Sequence, residues 1–350
     1  MYGKSLLLIS ISLMSVSSCD VECDLPIPKS YHTLPALSPP KIDGLLTDKV
    51  WSSVAWSTPF GDIDSGDELD STLLTRFKFT YDDEYFYIGA EILDPNAASK
   101  ECEDKLNFKN STFTIYIDPL RTNHNYKEIE ITPFGKIRQI AWDKPPSDGG
   151  VPNEEWSLGP KAREAITIHS GYGTLATRSN NKKKSWTLEW AIPQDRLLTD
   201  CKKRGRFDFN RRPGTQFSRF GSRSSRKRTD VTQYKQTWSP QFSDDIQNPE
   251  WWGSVFLGDV DDKNQTDVTE VPRFVLSQLY RAQREYKHEN GCYTKDITKL
   301  DIEGPKLGKC TDVPTIALGD DCQTYTARLV YQDVVGKIRQ DRYLTFEHRN

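Results

Sequence analysis

Methionine is scarce in this chain, and the motifs of several common functions are missing. Among 350 residues only Met1 and Met14 are methionine, and both lie in the N-terminal stretch discussed below. Removal of that stretch leaves no methionine to ligate a haem iron. The sequence also lacks a Cys-x-x-Cys pair, a glycine-rich phosphate loop, a Ser/His/Asp spacing and a metal-binding helix motif. We therefore expect no cofactor.

A strong net charge and long apolar runs are missing as well. The formal net charge is −3, so bulk electrostatics predict neither a nucleic acid nor a membrane surface as partner. No later segment approaches ~20 apolar residues, so no membrane span is predicted. Lys4, the apolar run Leu6–Met14 and the small residues that follow are typical of a secretion signal. The sequence thus predicts an extracellular protein whose signal occupies residues 1–18.

Seven cysteines are spread along the chain. Cleavage of the signal at Cys19 leaves an even number for disulfides, as in proteins of oxidising compartments. The six are Cys23, Cys102, Cys201, Cys292, Cys310 and Cys322. Val16–Cys19 also fits a bacterial lipoprotein box, in which Cys19 would anchor the protein through a lipid. Glycosylation sequons at Asn110 and Asn264 favour the eukaryotic secreted alternative.

Residues 40–258 read as a succession of short strands. Apolar residues recur at every second position in 113–117 and in 186–192, which is the spacing of strands with one buried face. Few helical windows interrupt them, and this favours antiparallel sheets. Residues 19–39 lack such periodicity and are interpreted as a leader of the mature chain.

The period changes after an acidic stretch at 259–269, which we interpret as a linker. Residues 274–290 carry apolar side chains at helical spacing, and Gly291 is placed to cap the helix. A hairpin is predicted beyond it. We expect residues 270–350 to form a small α+β appendage that relies on disulfides for stability.

Six motifs occur in a fixed order and carry a family resemblance. They are Pro40–Gly44 with Trp51, Asp82–Glu84 within a hairpin, Phe113–Pro119, Asn125–Ile131, Trp186–Pro193 and Pro249–Gly253. Together they resemble family 9 carbohydrate-binding modules. The resemblance implies an all-β fold, an antiparallel jelly-roll-like β-sandwich, with the small C-terminal α+β appendage added to it. It also implies sugar binding without catalysis.

The resemblance further implies where the sugar would bind. Characterised members hold a terminal sugar between two tryptophan rings and bond it through a glutamate and an arginine. These positions align with Phe108, the neighbourhood of Ile246, Thr114 and Glu130. Threonine does not supply an ionised acceptor, and Glu130 reverses the charge of an arginine donor. The sugar site of this chain is therefore altered.

Alternation along the strands places Thr114, Glu128 and Glu130 on one face. We predict a shallow polar groove there with an aromatic rim. The candidate carbohydrate-binding residues are Phe108, Thr114, Glu128, Glu130, Arg138, Trp142, Trp156 and Trp238. The alternative for the tryptophans is core or sheet-edge packing. Core packing is the expectation for Trp51, Trp186, Trp190 and Trp252.

Two acidic groups allow other interpretations. Glu128 and Glu130 would lie about 7 Å apart on one strand, within reach of a glycosidase spacing, but no second signature accompanies them. A glycoside hydrolase association therefore rests on the resemblance alone. Asp62, Asp64 and Asp67 lie in an acidic loop that suits structural calcium, although the spacing of a dedicated calcium loop is missing.

A basic segment offers a second hypothesis of function. Residues 202–228 contain eleven Lys and Arg against one acid, Asp208. In a secreted protein such a run suits sulfated or other acidic polysaccharide. The chain would then be an adhesion or matrix protein that binds acidic polysaccharide or protein through this segment. A basic loop without a partner is the remaining alternative.

Overall fold

The computed structural model describes residues 25–69, 73–94, 111–169, 185–197, 214–224, 231–258, 267–302 and 311–349, with the backbone alone at 214–224 and 231–232. The strands are β1 (Ser30–Thr33), β2 (Gly61–Asp62), β3 (Thr75–Tyr81), β4 (Tyr85–Leu93), β5 (Ser111–Asp118), β6 (Lys127–Ile131), β7 (Ile137–Trp142), β8 (Pro152–Asn153), β9 (Arg163–His169), β10 (Ser185–Pro193), β11 (Gly214–Ser224), β12 (Val231–Thr237), β13 (Ser254–Leu257), β14 (Thr315–Leu318), β15 (Tyr325–Tyr331), β16 (Val334–Arg339) and β17 (Leu344–His348). The α-helices are α1 (Lys49–Ser53), α2 (Gln194–Leu197) and α3 (Glu270–Asn290), and short 3₁₀ helices lie at Pro146–Asp148, Pro249–Trp251 and Ile297–Lys299.

Two sheets form the first part of the structure. One has nine strands, in the order β1-β13-β11-β5-β6-β7-β8, with β12 beside β11 and β2 beside β12. The other has the order β3-β4-β10-β9. Within the described residues, β1 and β13 are the one pair of neighbouring strands that runs parallel. The predicted antiparallel β-sandwich is therefore confirmed.

The main hydrophobic core lies between these two sheets. Phe77 of one sheet and Ile115 of the other belong to the same buried cluster. Successive strand residues point to opposite faces, so the alternating apolar positions of the sequence meet here. The tryptophans expected in the core are all buried, namely Trp51, Trp186, Trp190 and Trp252.

Glu189 explains why distant motifs of the sequence occur together. Its Oε2 accepts the backbone N–H groups of Asp43 at 2.8 Å and Gly44 at 2.7 Å, and its Oε1 accepts Nε1–H of Trp51 at 2.6 Å. Gly44 has a φ of +79°, and a Cβ there would lie 2.9 Å from the backbone of Ile166. The turn, the tryptophan and the glutamate are therefore one structural unit that fastens the N-terminal segment to β10.

The C-terminal residues form a helix packed on a four-stranded sheet, β14-β15-β16-β17. The predicted helix is present as α3, and Gly291, with φ +77°, ends it by donating its N–H to Lys287 O at 2.8 Å. Leu276 and Leu279 of α3 share a buried cluster with Ile338 of the sheet. The predicted helix and hairpin thus bury their apolar faces against each other.

A disulfide joins Cys292 to Cys322, with 5.3 Å between the Cα atoms. It closes a segment of 30 residues, and a cross-link of this span typically stabilises a fold by ~2–4 kcal/mol. Outside the described residues lie the other predicted disulfide cysteines, Cys23, Cys102, Cys201 and Cys310.

Charged side chains join the C-terminal helix and sheet to the loops of the sandwich. Arg121 pairs with Asp267 at 2.9 Å and with Glu270 at 2.5 Å. Arg342 pairs with Asp148 at 3.0 Å. We call the group around Arg342 the junction cluster, defined as Asp148, Glu250, Tyr280, Arg281 and Arg342. Of the helices in the described ranges, none has the length and apolar character needed to cross a membrane.

Candidate functional site

The outer face of the nine-stranded sheet carries a group of polar side chains. Thr114 of β5 lies opposite Glu130 of β6, and Arg138 of β7 lies opposite Glu130 on its other side. Ile129 and Ile131, their neighbours in sequence, face the main core, so these polar residues lie on the opposite face. We call the group the polar face. It consists of Thr114, Tyr116, Glu128, Glu130, Arg138 and Trp142.

Arg138 is the electrostatic centre of the polar face. Its Nη2 lies 3.2 Å from Glu128 Oε1 and 2.8 Å from Glu130 Oε2. The glutamate side chains are only 6% and 8% exposed, whereas the arginine side chain is 47% exposed. A guanidinium has five N–H donors. The guanidinium is therefore partly open to solvent, whereas the two carboxylates that it contacts are nearly buried.

Burial raises the pKa values of both glutamates, and Arg138 opposes this effect by favouring their ionised forms. Burial outweighs this contribution, so the pKa of each glutamate stays above its ordinary value. The polar face consequently holds two acids that ionise at higher pH than an exposed glutamate does.

Glu128 also fixes the position of the aromatic side chain at this face. Its Oε2 accepts Nε1–H of Trp142 at 2.8 Å and Nε2–H of Gln247 at 3.4 Å. The side-chain oxygen Oε1 of Gln247 in turn accepts a hydrogen bond from the hydroxyl group of Tyr126. Trp142 is half-buried, so one part of its ring contacts protein and another part contacts solvent. The network bonds the ring and the Arg138 guanidinium to the same carboxylate.

Aromatic rings pack against the residues of this network. The ring of Trp252 lies 5.3 Å from that of Tyr116 and 5.0 Å from that of Tyr126. Its Nε1–H donates to Ile246 O at 2.9 Å. Tyr116 could have been identified from the sequence, because it is two residues from Thr114 on the same strand. Gln247 gave no such signal, since it comes from a loop more than a hundred residues away.

Two of the candidate aromatic residues lie elsewhere. Trp156 is 7% exposed and belongs to the main core, where Lys127 Nζ lies 5.4 Å from its ring centroid. Trp238 is 1% exposed and packs edge-to-face on Phe77 at 5.1 Å. Both rings lie on the inner side of the sheets, and neither contributes to a rim of the polar face. Of the predicted rim residues, Trp142 is at the polar face, and Phe108 lies outside the described residues.

The acidic loop forms a tight turn. Asp62 Oδ1 accepts the backbone N–H groups of Asp64 at 3.0 Å and Ser65 at 3.2 Å, and Asp62 N–H donates to Asp67 O at 2.9 Å. Within the described ranges, no group of three or more His, Cys, Asp or Glu side chains is arranged to hold a metal ion. The carboxylate of Asp62 thus stabilises the turn itself, and calcium at this loop stays a prediction.

The remaining predicted sites fall on undescribed parts of the chain. The sequons at Asn110 and Asn264 lie outside the described residues. Of the basic segment 202–228, the structure gives the backbone of 214–224 alone. Binding of acidic polysaccharide through that segment therefore stays a prediction.

The sequence motifs, the sandwich and the polar face agree with one family. The family model described as carbohydrate family 9 binding domain-like matches residues 42–260. The chain belongs to this family. The matched residues include the whole polar face, whereas the C-terminal helix and sheet follow after the match ends. No curated protein matches the chain.

Three solved structures are similar to this family 9 chain. One is a family 9 carbohydrate-binding module from Caldicellulosiruptor kristjanssonii in complex with cellotriose, with 14% identity, 68% of this chain and 98% of that chain covered, and a TM-score of 0.41. Another, from the same organism in complex with glucose, has 15% identity, coverage of 68% and 100%, and a TM-score of 0.41. The third is a putative carbohydrate-binding protein from Bacteroides uniformis ATCC 8492, with 12% identity, coverage of 65% and 99%, and a TM-score of 0.45.

Proposed function

We propose that this protein is a secreted, non-catalytic carbohydrate-binding protein whose ligand lies on the polar face. The observation that carries the proposal is the half-exposed Arg138 guanidinium and the Trp142 ring, both bonded to Glu128 on the outer face of the nine-stranded sheet of a family 9 domain. Sugar sites combine such planar donors with an aromatic ring that covers the apolar face of the sugar. The disulfide Cys292–Cys322 supports an oxidising, extracellular location.

An arginine on the neighbouring strand, Arg138, compensates for the arginine donor that the altered sugar site lacks at Glu130. The resemblance placed the arginine donor of the family at Glu130, which reverses the charge. Arg138 lies opposite Glu130 in the register, with its Nη2 2.8 Å from that carboxylate. A guanidinium is therefore still present at this part of the face, displaced by one strand. This supports retained sugar binding with contacts that differ from those the resemblance implied.

The hydrogen bonds of Glu128 prepare the site before a ligand arrives. Glu128 bonds both Trp142 and Arg138, so neither side chain needs to be ordered on binding. Fixing side chains in advance lowers the entropic cost of association. Since sugars make many weak contacts, this preorganisation favours a measurable affinity.

The arrangement of the two glutamates supports a non-catalytic function. Glycosidases place one carboxyl group as acid and the other as base or nucleophile around the scissile bond. Here Glu128 and Glu130 contact the same guanidinium, and both side chains are nearly buried. This shared contact favours a role in positioning Arg138 over a role in bond cleavage.

Isothermal titration calorimetry with cellotriose and glucose, after a screen on a glycan array, tests the proposal. We expect Trp142→Ala and Arg138→Gln each to weaken sugar binding by about tenfold or more, because each removes a central contact. The matched control is Arg163→Gln, since Arg163 is an exposed arginine on β9 of the other sheet. Binding by both polar-face variants equal to that of the wild type would contradict the proposal, as would a wild type that binds no sugar on the array.

A further inference from the structure

The turn between β16 and β17 reaches from the C-terminal sheet into the sandwich. Arg342 lies in this turn, is 3% exposed, and has a φ of 66°. Its N–H donates to Arg339 O at 3.0 Å, and its own carbonyl accepts Nδ2–H of Asn123 at 3.2 Å. A residue other than glycine rarely adopts this left-handed conformation, and such strain is often kept at functional positions.

The guanidinium of Arg342 connects two separate loops of the sandwich. On one side, its Nε lies 3.0 Å from Asp148 Oδ2 and its Nη2 donates to Ser147 Oγ at 3.1 Å. On the other side, its Nη1 donates to Gln247 O and Asn248 Oδ1, both at 3.3 Å. It also pairs with Glu250 Oε2 at 3.2 Å. One planar group thus holds both loops in fixed relative positions.

Both loops lead directly to the polar face. The first loop follows β7, which ends at Trp142. The second carries Gln247, whose side chain donates to Glu128 at 3.4 Å. Contacts therefore run from Arg342 through Gln247 to Glu128, and from there to Trp142 and Arg138.

We infer that Arg342 is a positioning residue of the polar face, and that the C-terminal helix and sheet are part of the binding site. This inference rests on the proposed function, whereas the contacts of Arg342 with the two loops do not depend on which ligand binds. Stability alone does not account for the arrangement, because a buried ion pair is often replaceable by apolar side chains without loss of stability. Contact with two loops that border the polar face does account for it.

The test compares Arg342→Met and Arg342→Lys with Arg281→Met in the full chain. Arg281 is a matched control, because it pairs with the same Glu250 through Oε1 at 2.9 Å and the structure gives it no bond to Gln247 or Asp148 among the described residues. Hydrogen exchange of the loops 143–151 and 243–249 is measured by mass spectrometry, with β3 and β4 as internal reference. Affinity for cellotriose is measured in parallel.

We expect Arg342→Met to raise amide exchange in both loops by about tenfold relative to the reference strands, and to weaken cellotriose binding by about tenfold. Arg281→Met is expected to leave loop exchange within about twofold of the wild type. Arg342→Lys keeps the charge but not the planar fork, so it should loosen the loops as well. This conservative variant decides the matter if Arg342→Met does not fold.

Unchanged loop exchange in the Arg342 variants would overturn the inference, and so would equal effects of the Arg281 and Arg342 variants. A wild type that binds no cellotriose would remove support from the proposed function only. In that case the exchange measurement still decides whether Arg342 positions the two loops.

Discussion

Two arginines of this protein each lie between two carboxylates, yet their surroundings differ. On the polar face, Arg138 contacts Glu128 and Glu130 and its side chain is 47% exposed. In the junction cluster, Arg342 contacts Asp148 and Glu250 and its side chain is 4% exposed. An exposed guanidinium can exchange partners with a ligand, whereas a buried one cannot do so without leaving charges unpaired. The same ion-pair chemistry therefore leaves one guanidinium open to solvent on the polar face and encloses the other in the junction cluster.

The balance of charge also differs between the two clusters. Burial opposes ionisation of Glu250, but the guanidinium groups of Arg342 and Arg281 outweigh it and lower the pKa of this carboxyl group. On the polar face burial prevails over the contacts with Arg138, and the pKa values of Glu128 and Glu130 are raised. Burial and the arginines thus act against each other in both clusters, and the resulting pKa shifts have opposite directions.

The largest expected difference is in stability. Glu250→Gln leaves Arg342 and Arg281 facing a neutral amide in a buried site, so we expect the free energy of unfolding to fall by ~3–5 kcal/mol. The same substitution on the polar face, Glu130→Gln, leaves Glu128 to pair with the half-exposed Arg138. We expect it to change the free energy of unfolding by less than ~1 kcal/mol. Urea unfolding of both variants at neutral pH measures the difference, and equal losses would contradict the contrast.

Part of this contrast was predictable from the sequence. Strand alternation placed Thr114, Glu128 and Glu130 on one face, because side chains two residues apart on a strand share a face. The hairpin of β3 and β4 was predictable for the same reason, and its turn is closed by Asp82 Oδ1, which accepts the N–H of Tyr85 at 2.8 Å. Local patterns of this kind depend on near neighbours alone.

The rest depends on contacts between distant residues. Trp156 follows two exposed glutamates in sequence, and this polar setting suggested a loop at the rim. The chain instead turns inward at Trp156, which is buried beside Lys127. Arg342 and Gln247 are 95 residues apart in sequence, so no local pattern relates them. Only the docking of the C-terminal sheet on the sandwich brings them together.

A smaller difference is expected between the coupling energies of the two ion pairs Arg342–Glu250 and Arg138–Glu130. We expect a double-mutant cycle between Arg342 and Glu250 to give a coupling energy of about 2–3 kcal/mol. A cycle between Arg138 and Glu130 should give about 0.5–1 kcal/mol. Raising the salt concentration from about 50 mM to about 500 mM should reduce the second coupling but hardly the first, because salt screens exposed charges more than buried ones. Equal salt dependence of both couplings would show that the clusters do not differ in solvent access.

The smallest expected effect concerns the dependence of stability on pH, which should have opposite directions for Glu130 and Glu250. The pKa of Glu130 is raised above its ordinary value of 4.5 in the folded state, so its protonated form favours folding and this contribution is lost as pH rises above that value. The pKa of Glu250 is lowered, so its ionised form favours folding and this contribution is lost as pH falls below the ordinary value. Unfolding free energies of the wild type, Glu130→Gln and Glu250→Gln, measured from about pH 3 to about pH 8, should show this. The wild type should lose stability relative to Glu130→Gln as pH rises, and relative to Glu250→Gln as pH falls. If both differences changed in the same direction, the charge balance of one cluster would be other than the contacts of Arg138 and Arg342 indicate.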